Sequence, residues 1–236
     1  MDLNLHHPNT AKPKDEMHAR VLLNRTRAWL NCFNLDRSTG SQYGKGPIIS
    51  STDYVANRSA EWWNSSPHNM RGFDIHLACY NADLTILGRF REAVHSDPNS
   101  PTGFNKNLDI ADLASQADDE LATTWTRWIA LIRANTDADD RQSTFRTGLL
   151  RLAYSYARMT VLSFGFQYAF GKSDVGSDVG LLERVRVFFL RCARATRLMT
   201  VQCLRAAMDV LAAVLDDIAR PEQSELTSAA HCVRGC

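Results

Sequence analysis

Long apolar runs are missing. No stretch of about 18 apolar residues occurs in the 236-residue chain, so no segment reads as an ordinary membrane-spanning helix. Charge of one sign is also scarce: 27 Lys and Arg stand against 26 Asp and Glu, a formal net charge of +1. That lacks the strong positive field a DNA-contacting module usually carries. The six cysteines, at 32, 79, 192, 203, 232 and 236, form no CxxC pair and have no histidines at zinc-ligand spacing. Reduced thiols inside a cell are the expectation. The opening "MDLNLHHPNTAKPKDEMHAR" is polar and does not read as a secretory leader. No segment alternates apolar and polar residues over a strand's length, and no repeat period is visible.

What is present is helical periodicity in a chain that is 44% hydrophobic and long enough to bury a substantial core. Leu22, Thr26, Trp29 and Phe33, with Leu30 alongside, predict an amphipathic helix from about Asp15 to Arg37, followed by a loop to about Ser51. "STDYVANRSAEWWNSS" reads as a shorter helix capped by Ser51 or Thr52. Phe73, Leu77, Tyr80, Leu84, Leu87 and Val94 define a strong helix, and "PNSPTGFNKN" a loop after it. Leu113, Ala117, Leu121, Trp125, Trp128 and Ile132 define the next, with "ADDE" facing solvent. Phe145, Leu149, Leu152, Tyr156 and Met159 then give one apolar face, and residues 159 to 170 lose their polar side and so belong at the centre. From Leu181 to Arg220 neither Gly nor Pro interrupts a helical stretch that should bend or split. The expected architecture is all-α, an irregular bundle of about six helices over 15–220, between tails at 1–14 and 221–236.

The segment "DRSTGSQYGKGPII" raises a phosphate-binding loop as a candidate and then fails its requirements. Such a loop needs four residues between Gly and Gly-Lys, then Ser or Thr, after a strand. Here three residues separate Gly40 from Gly44, Gly46 stands where the hydroxyl belongs, and a helix precedes. The better reading is a helix end locked onto the following loop, with Arg37 near the negative end of the helix dipole and Asp36 pairing with Arg37, Lys45 or a loop amide. His76 reads as a packed helix residue. Asp118, Asp119 and Glu120 read as a solvated face, and Arg184, Arg191, Arg194, Arg197 and Arg205 as a basic, solvated side. The tryptophans Trp62, Trp63, Trp125 and Trp128 read as core bulk.

The stretch "RAWLNCFNLDRSTGSQYGKGPII" resembles the signature of the middle homology region, the fungal-specific transcription factor domain of zinc binuclear cluster regulators. Arg27, Trp29, Leu30, Phe33, Leu35, Asp36, Arg37, Gln42, Gly44, Lys45, Pro47 and Ile49 carry the likeness. It extends through "EWWNSSPHNMRGFDIHLACYNADL", "SDPNSPTGFNKNLD" and "SFGFQYAF", over about residues 15 to 195. Asn34 and Gly46 depart from the pattern, at places commonly apolar and often Pro.

The resemblance implies a nuclear regulator of RNA polymerase II transcription. Its partners would be other transcriptional regulators, relatives of its own family or a small-molecule effector. Zinc and DNA contacts belong, in that family, to a separate cysteine cluster that this chain does not show, so no cofactor, metal ligand or catalytic residue is carried over. The family's C-terminal apolar helix is not recognisable after about residue 200. The expectation is therefore a regulatory fragment, incomplete at its C-terminal end, with exposed apolar surface and marginal stability. The competing expectation is an all-helical enzyme or small-molecule-binding protein using dispersed side chains near His76, Tyr80, Tyr156 and Gln167.

Overall fold

The computed structural model describes residues 13–137, 139–172 and 194–215. They form six α-helices and one 3-10 turn, with no strand among the described residues, so the fold is all-α. The helices are α1 (Glu16–Tyr43), α2 (Ser59–Trp62) after the 3-10 turn Ala56–Arg58, α3 (Arg71–Val94), α4 (Ile110–Asn135), α5 (Arg141–Lys172) and α6 (Arg194–Ala213). Nearly all of both expected tails and residues 173–193, with Arg184 and Arg191 among them, lie outside the described residues.

Aspartates begin three of the six helices, because a carboxylate can accept the amide protons that a first turn leaves unpaired. Asp15 accepts from the His18 N–H at 2.7 Å, Asp109 from those of Ala111 and Asp112 at 3.1 Å each, and Asp140 from that of Gln142 at 2.9 Å. The short helix expected from Ser51 starts later. Val55 stands at the N-cap of the 3-10 turn and Arg58 at that of α2, in place of Ser51 or Thr52, and Asp53 accepts from the Ala56 N–H at 2.8 Å.

The described residues fall into two compact units, one within 1–89 and 123–150, the other within 90–122 and 151–236. The first buries Trp63, Ile75, Ala78, Cys79, Trp128, Ile132 and Leu150 as one cluster, with Trp62 and Trp125 packed against it. Leu30, Phe33, Val55, Ala56 and Leu77 form a second cluster in the same unit. In the second unit Val94, Ile110, Leu121, Val161 and Leu162 are buried, and Phe90 meets Phe164 edge to face at 5.8 Å.

Two sequence expectations are corrected in α5 and α4. Phe145 and Leu149 are 48% and 41% exposed; α5 instead turns Ser143, Leu150, Ser155, Ala157, Val161 and Leu162 inward. Several of these are small, and small side chains mark closest approach of elements, which a hydrophobicity pattern does not register. Within 159 to 170, Gln167 is exposed while Val161 and Leu162 are fully buried. In α4, Asp118 does not face solvent. It is buried and accepts two hydrogen bonds from Arg158 of α5, Nε at 2.5 Å and Nη2 at 2.8 Å. Position 118 lies one helical turn from Ala114 and Leu121, both buried, so the helix carries it inward and Arg158 supplies its charge partner.

Candidate functional site

The end of α1 lies six residues beyond Arg37, because Ser38, Thr39 and Gly40 remain helical. Gly44 terminates it at φ +67°, a left-handed conformation that favours glycine. The chain then doubles back: the Lys45 N–H donates to the Gly40 carbonyl at 2.9 Å, and a Cβ built on Gly40 would stand 2.9 Å from the Lys45 carbonyl oxygen. Gly40 is thus needed for contact rather than for breaking the helix. Gly40→Ala is expected to lower stability by about 1–3 kcal/mol through overpacking, although alanine favours a helix by about 1 kcal/mol. A urea or thermal melt showing equal or greater stability would contradict that packing.

The returning segment is held by the Asp36 carboxylate. Its Oδ2 accepts from the N–H groups of Ile48 and Ile49, each at 2.9 Å, and Oδ1 from that of Ile48 at 3.1 Å. Arg37 lies buried beside it, not in the last turn as expected. Its guanidinium sits 4.5 Å from the Phe33 ring centre, and Nη2 donates to the Ile49 carbonyl at 3.3 Å. On the α3 side, Gly88 leaves the room Arg37 uses: a Cβ there would stand 2.7 Å from Arg37 Nη1. Adjacent residues therefore grip the same two-residue segment, one through its amides and one through a carbonyl.

Further up α1, Trp29 Nε1 donates to Asp53 Oδ1 at 3.1 Å, the same oxygen that accepts from the Ala56 N–H. Arg27 makes a bidentate pair with Asp74, Nε to Oδ1 at 2.7 Å and Nη2 to Oδ2 at 2.9 Å. Asp74 is 0% exposed, and its Oδ2 also accepts from the Asn69 side-chain amide and the Met70 N–H, at 3.1 and 2.9 Å. Arg27 also contacts the Asn24 side chain and lies over the Trp62 ring. Asn34, the departure from the apolar pattern, is buried in a chain of hydrogen bonds. Ser59 donates to Asn81 at 2.8 Å, Asn81 to Asn34 at 3.1 Å, and Asn34 to the Leu77 carbonyl at 3.4 Å.

Arg27, Trp29, Phe33, Asp36, Arg37 and Gly44 thus occupy one continuous band of contacts along α1. Gln42, Lys45 and Pro47 are exposed, and only the backbone of Lys45 takes part. The sequence reading missed Asn34, Asn81 and Asp74. The available signal was their recurrence, with Leu30, Leu77 and Ala78, at inward helical positions.

His76 is buried on α3, where Nδ1 lies 2.9 Å from the Gly72 carbonyl and Nε2 3.1 Å from the Thr147 hydroxyl. A carbonyl only accepts, so Nδ1 carries the proton and donates it, while the Thr147 hydroxyl beside Nε2 itself donates to the Ser143 carbonyl at 2.8 Å. Burial pushes the ring's pKa below 6.5, overcoming the Gly72 contact that favours the charged form. Tyr80, one turn further along α3, is raised by burial despite its bond to Ser38. Tyr156 is half-buried and Gln167 exposed in the other unit.

Asp83 departs from every other buried acid described above. It is 2% exposed, and neither carboxylate oxygen has a hydrogen-bond partner. Burial pushes its pKa up to about 8, and its charge would raise the Cys79 thiol, already lifted by burial. Among the described residues no group of three or more His, Cys, Asp and Glu side chains is placed to hold a metal ion. Comparison with protein-family models, with curated proteins and with solved structures finds no match to this chain.

Proposed function

We propose that this chain is a regulatory and interaction domain of a fungal transcription factor acting on RNA polymerase II transcription in the nucleus. One observation carries the reading: the residues of the resemblance, Arg27, Trp29, Phe33, Asp36, Arg37 and Gly44, have packing and hydrogen-bonding roles that join α1 to the loop after it and to α3. Their chemistry fixes shape rather than making or breaking bonds. The reading is further supported by His76, whose two ring nitrogens are both taken up by contacts within the fold.

In this reading DNA is contacted through a separate zinc-cluster module, and the chain's own partners are other regulators or a relative of the same family. Regulation is a packing equilibrium that a small-molecule effector or partner biases by binding one state better. The test is expression in a fungal host, fused to an unrelated DNA-binding domain upstream of a reporter. A change in output relative to the DNA-binding domain alone, reduced by Asp36→Ala, is expected. Unchanged output, with the fusion present in the nucleus, would overturn the proposal.

A further inference from the structure

In α6, Ala206 and Ala213 are fully buried, seven residues apart, and Asp209 approaches Arg158 at 4.0 Å. These contacts fix which side of the helix faces its own unit. At 100° per residue, Val201, Leu204, Met208 and Leu211 fall within an arc of roughly 80° centred opposite Ala206, and Leu215, two residues past the end of α6, continues their spacing. All five are exposed, by 54 to 64%. Their spacing of three, four, three and four is that of a coiled-coil seam, narrower than the stripe a helix presents to a globular core. The buried alanines and the apolar seam thus lie on opposite sides of one helix.

We infer that this outer face of α6 is a self-association seam that takes a second copy of the same helix. Three features select that occupant. The seam extends about 21 Å along the helix, enough for successive knobs to enter holes on a like helix. At roughly 100 Å² of apolar surface per side chain, two copies would bury about 1,000 Å², the lower bound for a specific interface. The seam also bears no charge, so it offers nothing to select a charged partner. Arg205 lies at its flank and Asp209 is turned toward Arg158, so no like-charged pair opposes two copies meeting.

Sedimentation of the full chain across the micromolar range tests the inference, beside the doubly substituted Leu204→Glu/Leu211→Glu chain. The wild type is expected to shift from monomer to dimer as concentration rises. The variant should remain monomeric, with unchanged circular dichroism and an unchanged melting temperature in dilute solution. A wild type that stays monomeric throughout would overturn the proposal. Larger assemblies that the two glutamates leave intact would also overturn it. A variant that unfolds or melts earlier while dilute would show that the face is covered within its own chain, and would overturn it too.

Discussion

Arg27→Ala is expected to cost about 3–5 kcal/mol, because it leaves a buried carboxylate without its charge partner. Asp74 is 0% exposed and cannot turn to water. Its remaining contacts, the Asn69 amide and the Met70 N–H, are neutral donors to one oxygen, whereas Arg27 occupies both. The cost comes mainly from the stranded anion rather than from the net worth of the intact pair. Arg27→Lys keeps a cation but loses the planar two-point fit, so its loss should be intermediate. Reversible urea unfolding of the three proteins measures the difference. A loss for alanine below about 1 kcal/mol, the value for an exposed pair, would contradict the buried geometry.

Asp83→Asn is expected to stabilise the protein by several kcal/mol near pH 8, with the gain shrinking as pH falls toward 4. In the unfolded chain an aspartate ionises near 3.9, whereas burial raises Asp83 in the fold to about 8. Between those values the folded protein holds one more proton than the unfolded chain. Stability therefore falls as pH rises, by about 1.4 kcal/mol per unit, and this decline stops above the folded pKa. Asparagine matches the neutral acid in size and removes that slope, so the two proteins should be about equally stable at the acid end. Unfolding free energies from pH 4 to 9 provide the check. Asparagine being less stable throughout would mean that Asp83 is ionised and paired in the fold.

The all-α class and α3 were legible because Leu77, Leu84, Leu87 and Val94 repeat with the helical period and are buried where that period places them. Boundaries were harder to read. Ser38, Thr39 and Gly40 have poor helix propensity, but the contact of Lys45 with Gly40 and the grip of Asp36 on residues 48 and 49 carry the helix to Tyr43. Such tertiary contacts override local preference and leave no mark in composition. Asp118 was misassigned for a related reason. Three adjacent acids look solvated, yet adjacent helix positions point about 100° apart, and Asp118 is turned inward to meet Arg158.

The candidate site was legible in its outline and not in its interior. Asp36 was expected to meet Arg37, Lys45 or a loop amide, and the structure has it accepting from two loop amides. The chain from Ser59 through Asn81 to Asn34 joins residues from three separate segments, so no local window could contain it. The likeness that motivates the functional proposal is carried by residues whose contacts are now explicit, and each contact can be removed singly.

Amide hydrogen exchange at Ile48 and Ile49 tests the grip of Asp36 most directly, above all at Ile48, which is 93% exposed so that burial contributes little to shielding, whereas Ile49 is half-buried against the core. Both amides are expected to exchange well below free-chain rates in the native protein. In Asp36→Ala the Ile48 amide should speed up to the free-chain rate and the Ile49 amide should speed up toward it, while the amides at the centre of α1 stay protected. Free-chain exchange at both positions in the native protein would contradict the account.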